Sequence, residues 1–211
     1  MTETRQFKLG PMDNFSYVLW DDETKEAAVI DPAWQPQRLA DFLKAEKLSL
    51  QCVLLTHGHP DHVNGAAYFA GGEPPMPVYL HEADHEMLDA KIPGLRHVSD
   101  GEVLRAGALK LTVLYTPGHT PGSVCYQAGN AVFTGDTLFV GECGRVDLPG
   151  SSPEALYDSF VKLAALPDAA AVYPGHSYNG DTSTFGVQKE YNFYLKLALQ
   201  KRRADFIKAV T

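Results

Sequence analysis

The run Thr56-His57-Gly58-His59-Pro60-Asp61-His62 places three imidazoles and a carboxylate within one turn. Imidazole nitrogen and carboxylate oxygen are ligands that borderline divalent ions such as zinc accept. In an extended turn the side chains at i and i+2 point the same way, so His57 and His59 can hold one ion while Asp61 and His62 reach toward a second. Gly58 permits a tight backbone, and Pro60 removes one backbone freedom. Further along, His119, Asp136 and His176 each stand beside a glycine. His119 would complete a three-histidine site. Asp61, His62 and His176 would form the other, and Asp136 could bridge both ions through its two oxygens. Asp61 and Asp136 are thereby the candidate catalytic carboxylates as well as ligands. Two ions about 3.5–4 Å apart polarise a substrate oxygen and hold hydroxide near neutral pH, so no serine or cysteine nucleophile is required.

The bland reading, polar loop residues without metal, is weakened because five of the chain's eight histidines enter one scheme. Asp31, before Pro32, either orients a ligand imidazole or is a turn carboxylate. His81-Glu82-Ala83-Asp84-His85 matches H-E-x-x-H, which on a helix presents two zinc ligands on one face. Here it follows a short strand, so His81 falls at a helix start, and the segment reads as the beginning of a surface helix. Cys52, Cys125 and Cys143 form no C-x-x-C pair. The first two sit in apolar runs as small buried thiols; Cys143 lies in a glycine-rich loop, where nothing supports a reactive role.

The elements that must position these residues alternate in type. Strands are predicted over Arg5–Leu9, Phe15–Trp20, Glu26–Ile30, 52–55 and Val78–Leu80, with a helix over Gln37–Lys47. The histidine turn feeds a helix from Asp61 or His62 to before Gly71, and another helix spans about Glu82–Ala90. Strands follow at Glu102–Arg105, Leu109–Tyr115, Ser123–Gln127 and Ala131–Phe133. After a long loop come a helix over Pro153–Ala165, a strand over Ala170–Tyr173 and a long terminal helix over Val187–Ile207. His57, His119, Asp136 and His176 each come directly after a strand, so rigid supports deliver them to one edge. Interleaved strands and helices in two halves indicate two sheets packed face to face with helices outside, an α/β class.

With 211 residues the chain is long enough for one domain and a sizeable core, and its net charge of −8 argues against a general nucleic-acid surface. The N-terminus begins no apolar stretch and no run is long enough for a membrane span, so a cytoplasmic, membrane-free protein is expected.

The histidine turn resembles the T-H-x-H-x-D-H signature of the metallo-β-lactamase fold superfamily. So do 116–123 (TPGHTPGS), 134–139 (TGDTLF), 174–176 (PGH), and the opening stretch from Asn14–Leu19 to Asp31-Pro32. The likeness runs from about Phe7 to Leu195. It implies an αβ/βα four-layer sandwich over residues 1–211, one hydrolase-like domain with a short C-terminal helix and the metal site at one sheet edge. It also implies two divalent ions, zinc first, with iron or manganese as alternatives. Within the superfamily the chain is similar to the glyoxalase II branch, which hydrolyses S-acylglutathione thioesters, and to its persulfide dioxygenase relatives. Gly144-Arg145-Val146-Asp147 resembles that branch's G-R-x-D loop, and His176-Ser177-Tyr178 its H-x-Y segment. Carried over, the resemblance implies that Arg145 and Tyr178 contact a small-molecule thioester or thiol-derived substrate, glutathione-linked in that branch. Their plainer readings are an Arg145–Asp147 ion pair and a packed tyrosine. Long glyoxalase II enzymes add a helical domain, whereas the 35 residues that follow His176 here are expected to form a loop and one helix; Lys196, Lys201, Arg202 and Arg203 on it either replace some of that domain's contacts or are a solvated helix face. The alternative chemistry, a mononuclear iron dioxygenase, would use His57, His119 and Asp136 as a facial triad.

Overall fold

A computed structural model describes residues 1–211. The first half runs β1 (Thr2–Leu9), β2 (Asn14–Asp21), β3 (Glu26–Ile30), α1 (Pro36–Ala45), β4 (Ser49–Leu54), α2 (Pro60–Val63), α3 (Ala66–Phe69), β5 (Val78–His81), a 3-10 helix (Glu82–Met87) and β6 (Leu95–Val98). The second runs β7 (Val103–Ala106), β8 (Leu109–Tyr115), β9 (Val124–Ala128), β10 (Ala131–Gly135), α4 (Pro153–Ala164), β11 (Ala171–Pro174), β12 (Ser183–Thr184), α5 (Phe185–Tyr191), α6 (Phe193–Leu199) and α7 (Arg203–Val210).

These make two six-stranded mixed sheets, β1-β2-β3-β4-β5-β6 and β12-β11-β10-β9-β8-β7. Period-two alternation assigns each strand residue to a layer. Phe15, Tyr17, Leu19, Ala28, Ile30 and Leu54 point between the sheets, where Val113, Tyr126 and Phe133 of the second sheet meet them. Val18, Ala27, Val29 and Val53 point outward onto Leu39, Leu43 and Ala66 of α1 and α3. On the far side, Cys125, Val132 and Val172 pack against Leu156, Phe160 and Leu163 of α4 and Leu195 and Phe206 beyond it. The result is the four-layer α/β sandwich expected from the sequence, with the inter-sheet core as its centre.

Strands β3, β4, β5 and β6 are mutually parallel, as are β10 and β11. Their carboxyl ends release Asp31, the histidine turn, Asp136 and His176, and open α/β sheets commonly bind ligands at such ends. Three backbone hydrogen bonds tie the two halves together along this edge, from Phe15 N–H to the Gly175 carbonyl (2.7 Å), from Ser177 N–H to the Asp13 carbonyl (3.2 Å) and from Val124 N–H to the Thr56 carbonyl (2.8 Å). Gly135 turns there at φ 48°, where a Cβ would strike the Thr56 side chain.

Three helix expectations are corrected. The helix after the histidine turn breaks into α2 and α3, because Gly65 N–H bonds the Pro32 carbonyl (2.8 Å) and its Cα lies too close to that carbonyl for any side chain. The segment from Glu82 is a 3-10 helix that ends at Met87, and its Asp84 is fully buried, so it is no plain surface helix. The terminal helix is three helices. Asn192 ends α5 and caps α6, its Oδ1 accepting from Leu195 N–H (3.0 Å), a local bond that competes with helix continuation. At the other break Lys201 is left-handed (φ 57°), and the Lys201→Ala198 and Arg202→Leu197 bonds close a Schellman turn. The apolar stripe persists across both breaks, which is why it reads as one helix. The short strands β6 and β12 carry too little pattern to be seen in sequence.

Candidate metal centre

The ring nitrogens and carboxylate oxygens named from the sequence converge in two groups at the shared edge. Facing atoms of His57, His59 and His119 lie within 4.8 Å of one another, and so do those of Asp61, His62 and His176. His119 Nε2 is 2.9 Å from His59 Nδ1, and His62 Nε2 is 3.2 Å from His176 Nε2. Asp136 stands between the groups: Oδ1 is 3.3 Å from His62 Nε2, and Oδ2 is 3.3 Å from His176 Nε2 and 3.5 Å from His119 Nε2. Gly175 and Gly144 permit this, since a Cβ on either would strike Asp136.

The partners of the opposite ring nitrogens fix which nitrogen offers a lone pair. His176 Nδ1–H donates to the Met12 carbonyl (2.8 Å) and His119 Nδ1–H to the Arg145 carbonyl (2.9 Å). His62 Nδ1–H donates to Asp31 Oδ2 (2.9 Å). Thr56 Oγ1 already donates to Asp31 Oδ2 (2.6 Å), so it accepts from His57 Nδ1–H at 3.1 Å. In the neutral rings Nε2 is therefore a bare acceptor on all four, and His62 and His176 aim two lone pairs at each other. Such an arrangement calls for a cation between them. Consistently, His57 Nε2 and Asp136 Oδ1 are buried without any hydrogen-bond partner, a condition rare for polar atoms in a folded interior. The donor set fits one ion per group, with Asp136 able to serve both. Asp31, which also lies near His57 and His62, has its oxygens taken by Thr56 N–H (2.7 Å), Thr56 Oγ1 and His62, and acts as the orienting acceptor.

Electrostatics agree. Burial and the adjacent His62 push His57 well below the usual imidazole range. Burial alone would raise Asp136, but His62, His176 and His57 hold it well below the carboxylate range. Burial opposes charge on His176 too, yet its hydrogen bond to Asp136 and that residue's charge, with Asp61, raise it to about 11. The paired carboxylates demand positive charge at this spot, and a divalent ion supplies more of it than a proton.

Arg145 and Tyr178 line one pocket of about 310 Å³ with Glu142, Cys143 and Asn179. The Arg145 carbonyl belongs to the His119 support described above, and the Tyr178 ring packs on Phe139 (centroids 4.7 Å), 6.0 Å from that of His176. The Arg145 guanidinium forks onto Asp147 (2.6 and 2.7 Å), and Tyr178 is largely exposed. Burial raises the Cys143 thiol to about 12, which leaves it inert. Arg202 and Arg203 pair with Asp205 and Asp158. A larger cavity of about 540 Å³, between His85, Leu88, Ile92 and His97, lies beside β6 and contains none of the facing atoms. The H-E-x-x-H histidines do not converge: His81 caps the 3-10 helix at Ala83 N–H, while His85 faces His97 (3.0 Å).

Two supports escaped the sequence reading. Buried Asn14 donates Nδ2–H to Asp61 Oδ2 (2.8 Å) and to the Asp61 carbonyl (3.0 Å), and accepts from Trp34 Nε1–H (2.8 Å). Asp84 is the other. Asparagine at the start of a strand and aspartate inside a misleading motif give no spacing signal.

The chain is similar to known proteins along most of its length. The profile described as Metallo-beta-lactamase superfamily matches residues 9–176. A probable hydroxyacylglutathione hydrolase of Schizosaccharomyces pombe is 35% identical over 185 residues, 84% of this chain and 69% of its own length. A probable polyketide biosynthesis zinc-dependent hydrolase, BaeB, of Bacillus velezensis is 34% identical over 171 residues, 78% of this chain and 73% of its own. Among solved structures, ETHE1 from Myxococcus xanthus superposes with a TM-score of 0.86 at 32% identity, covering 99% of this chain and 89% of that one. The sandwich, the two convergent ligand groups and these matches make the chain a member of the metallo-beta-lactamase superfamily.

Proposed function

We propose that the chain is a two-metal hydrolase of thioesters, with S-acylglutathione as the substrate class, and that residues 1–211 act as one hydrolase domain. The observation that carries the reading is the completeness of both ligand groups: every facing nitrogen is freed by a hydrogen bond on the opposite side of its ring or, for His59, turned toward His119. His57, His59 and His119 would hold one ion, Asp61, His62 and His176 the other, and Asp136 would span them. A bound pair of divalent ions, zinc first and iron or manganese as alternatives, supplies hydroxide at neutral pH and polarises the carbonyl oxygen. The chain's own part is orientation. Asp31 and the Met12 and Arg145 carbonyls fix the imidazoles, and Asn14 fixes Asp61. The pocket of Arg145 and Tyr178 receives the thiol portion of the substrate, tied to the centre through the His119 contact. The hydrolase relatives support the reaction class. Three unpaired cysteines suit a reducing compartment and no helix is long and apolar enough to cross a membrane, so we assign the cytoplasm.

The likeness to ETHE1 favours a second reading, an iron persulfide dioxygenase using His57, His119 and Asp136. Metal analysis of the purified chain with parallel assays separates the two. The hydrolase reading expects two ions per chain and hydrolysis of S-lactoylglutathione to acid and thiol. One iron per chain, dioxygen uptake on glutathione persulfide and no thioester hydrolysis would overturn it.

A further inference from the structure

The carboxylate of Asp84 takes no part in either ligand group, yet it is fully buried and has no lysine, arginine or histidine partner among the ion pairs. A charge so placed is costly unless donors surround it, and three do. Asp84 Oδ2 accepts from Gly58 N–H (2.8 Å) and from Thr120 Oγ1–H (2.6 Å), and Oδ1 accepts from Gly122 N–H (2.5 Å). Gly58 lies between His57 and His59, and Thr120 directly follows His119. One carboxylate therefore clasps the two turns that carry the three imidazoles of one site, one turn from each sheet. Both glycines are shaped for this clasp. A Cβ on Gly58 would come within 2.9 Å of Met87 Cβ and 3.0 Å of the Asp84 carbonyl, and one on Gly122 within 2.6 Å of Asp84 Oδ1. Ser123 extends the clasp: its Oγ accepts from Thr120 N–H (3.1 Å) and shares a 2.7 Å hydrogen bond with Thr120 Oγ1.

The other ligand group has supports that do not involve Asp84. Asp61 is held by Asn14, His62 by Asp31 and His176 by the Met12 carbonyl, and none of these bonds Asp84. We propose that Asp84 is a positioning residue that sets the spacing of His57, His59 and His119, so that it governs loading of the three-imidazole site and leaves the Asp61–His62–His176 site to Asn14, Asp31 and the Met12 carbonyl. Replacing the carboxylate by an amide deprives one turn of its acceptor whichever way the amide faces, because its NH2 group then meets the Gly122 N–H in one orientation and the Gly58 N–H in the other.

The inference rests on the metal reading of the centre but not on the choice of substrate. Its test is cobalt titration of the metal-free full chain, with each ion's affinity measured against a chromophoric chelator. Paramagnetically shifted, exchangeable imidazole N–H resonances identify the site, three for the three-imidazole group and two for the other. In Asp84→Asn the ion that shifts three resonances is expected to bind about 10–100-fold more weakly, the range for loss of an outer partner, while the other stays within about threefold. Thr120→Val removes one bond of the clasp and should weaken the same ion by less; it carries the test alone if Asp84→Asn does not fold. Asn14→Ala should weaken the opposite ion. Equal weakening of both ions in Asp84→Asn, or no change in either, overturns the proposal. A wild-type chain that binds only the three-resonance ion would overturn the two-ion reading and still test Asp84 through that ion's affinity.

Discussion

Asp31→Asn exchanges one oxygen for an NH2 group at a position where the direction of every hydrogen bond matters. In the native chain Asp31 Oδ1 accepts from Thr56 N–H, and Oδ2 accepts from both Thr56 Oγ1–H (2.6 Å) and His62 Nδ1–H (2.9 Å). The asparagine carbonyl keeps the first bond, so the amide must occupy the Oδ2 position. Its two hydrogens then point at Thr56 Oγ1 and His62 Nδ1 and turn both into acceptors. Thr56 Oγ1–H, released, donates to His57 Nδ1 at 3.1 Å. Both His57 and His62 are driven to the tautomer with hydrogen on Nε2, the atom each must present bare to an ion. The number of hydrogen bonds and the side-chain volume hardly change, so the metal-free fold should keep its stability to within about 1 kcal/mol. Metal affinity should fall by about 10–100-fold for each ion, equivalent to about 1.4–2.7 kcal/mol per ion. Denaturant unfolding of the metal-free chain, chelator competition for the ions and imidazole nitrogen shifts for the tautomers measure the three quantities. Wild-type affinity for both ions, or His57 and His62 still protonated on Nδ1, would refute the reasoning.

Asp136→Ala removes the carboxylate that faces His62, His119 and His176. Thioester hydrolysis should drop by more than about 100-fold, beyond the usual effect of an outer partner, while the circular dichroism spectrum stays native. His81→Ala should leave turnover within about twofold, because that ring caps a 3-10 helix and stacks on Tyr115, away from the facing atoms; a large loss would revive the H-E-x-x-H reading. Phe133→Ala empties the middle of the inter-sheet core, where the ring stacks on Tyr173 and meets Tyr17 edge-on. Unfolding free energy should fall by about 3–5 kcal/mol in a denaturant titration.

What was legible in the sequence follows from how local each signal is. His57, His59, Asp61 and His62 advertise themselves because one turn must present four ligands, and chemistry that depends on i and i+2 leaves a mark seven residues long. His119, Asp136 and His176 are legible for a different reason: each comes directly after a short run of strand-forming residues, and the ends of these strands meet at one edge. The two packed sheets are legible from the interleaving of strands and helices in two halves, and the four-layer order from the likeness of the motifs to the superfamily. The terminal helices read as one because their apolar stripe is continuous while the breaks depend on single positions, the Asn192 cap and the left-handed Lys201. Arg145 was visible as a motif, but whether its guanidinium faces substrate or Asp147 is decided by two surface bonds worth little in water.

The orienting residues lie at the far end of that scale. Asp31 is visible in the sequence because it ends a strand before a proline, but only the three donors that converge on it make it an orienting carboxylate and not a turn residue. Asn14 and Asp84 act on groups 47 and 26 residues away, through contacts that no period or spacing encodes. Metal ligands are constrained by chemistry to a few residue types, whereas a supporting acceptor need only be a carboxylate, an amide or a backbone carbonyl that the fold brings within reach, as Met12 and Arg145 do with main-chain oxygen alone. A sequence can therefore announce a metal centre while concealing what tunes it. In this chain, tuning divides by site: Asp84 clasps the three-imidazole turns, Asn14 holds Asp61, and Asp31 alone reaches toward both groups, through Thr56 to His57 and directly to His62.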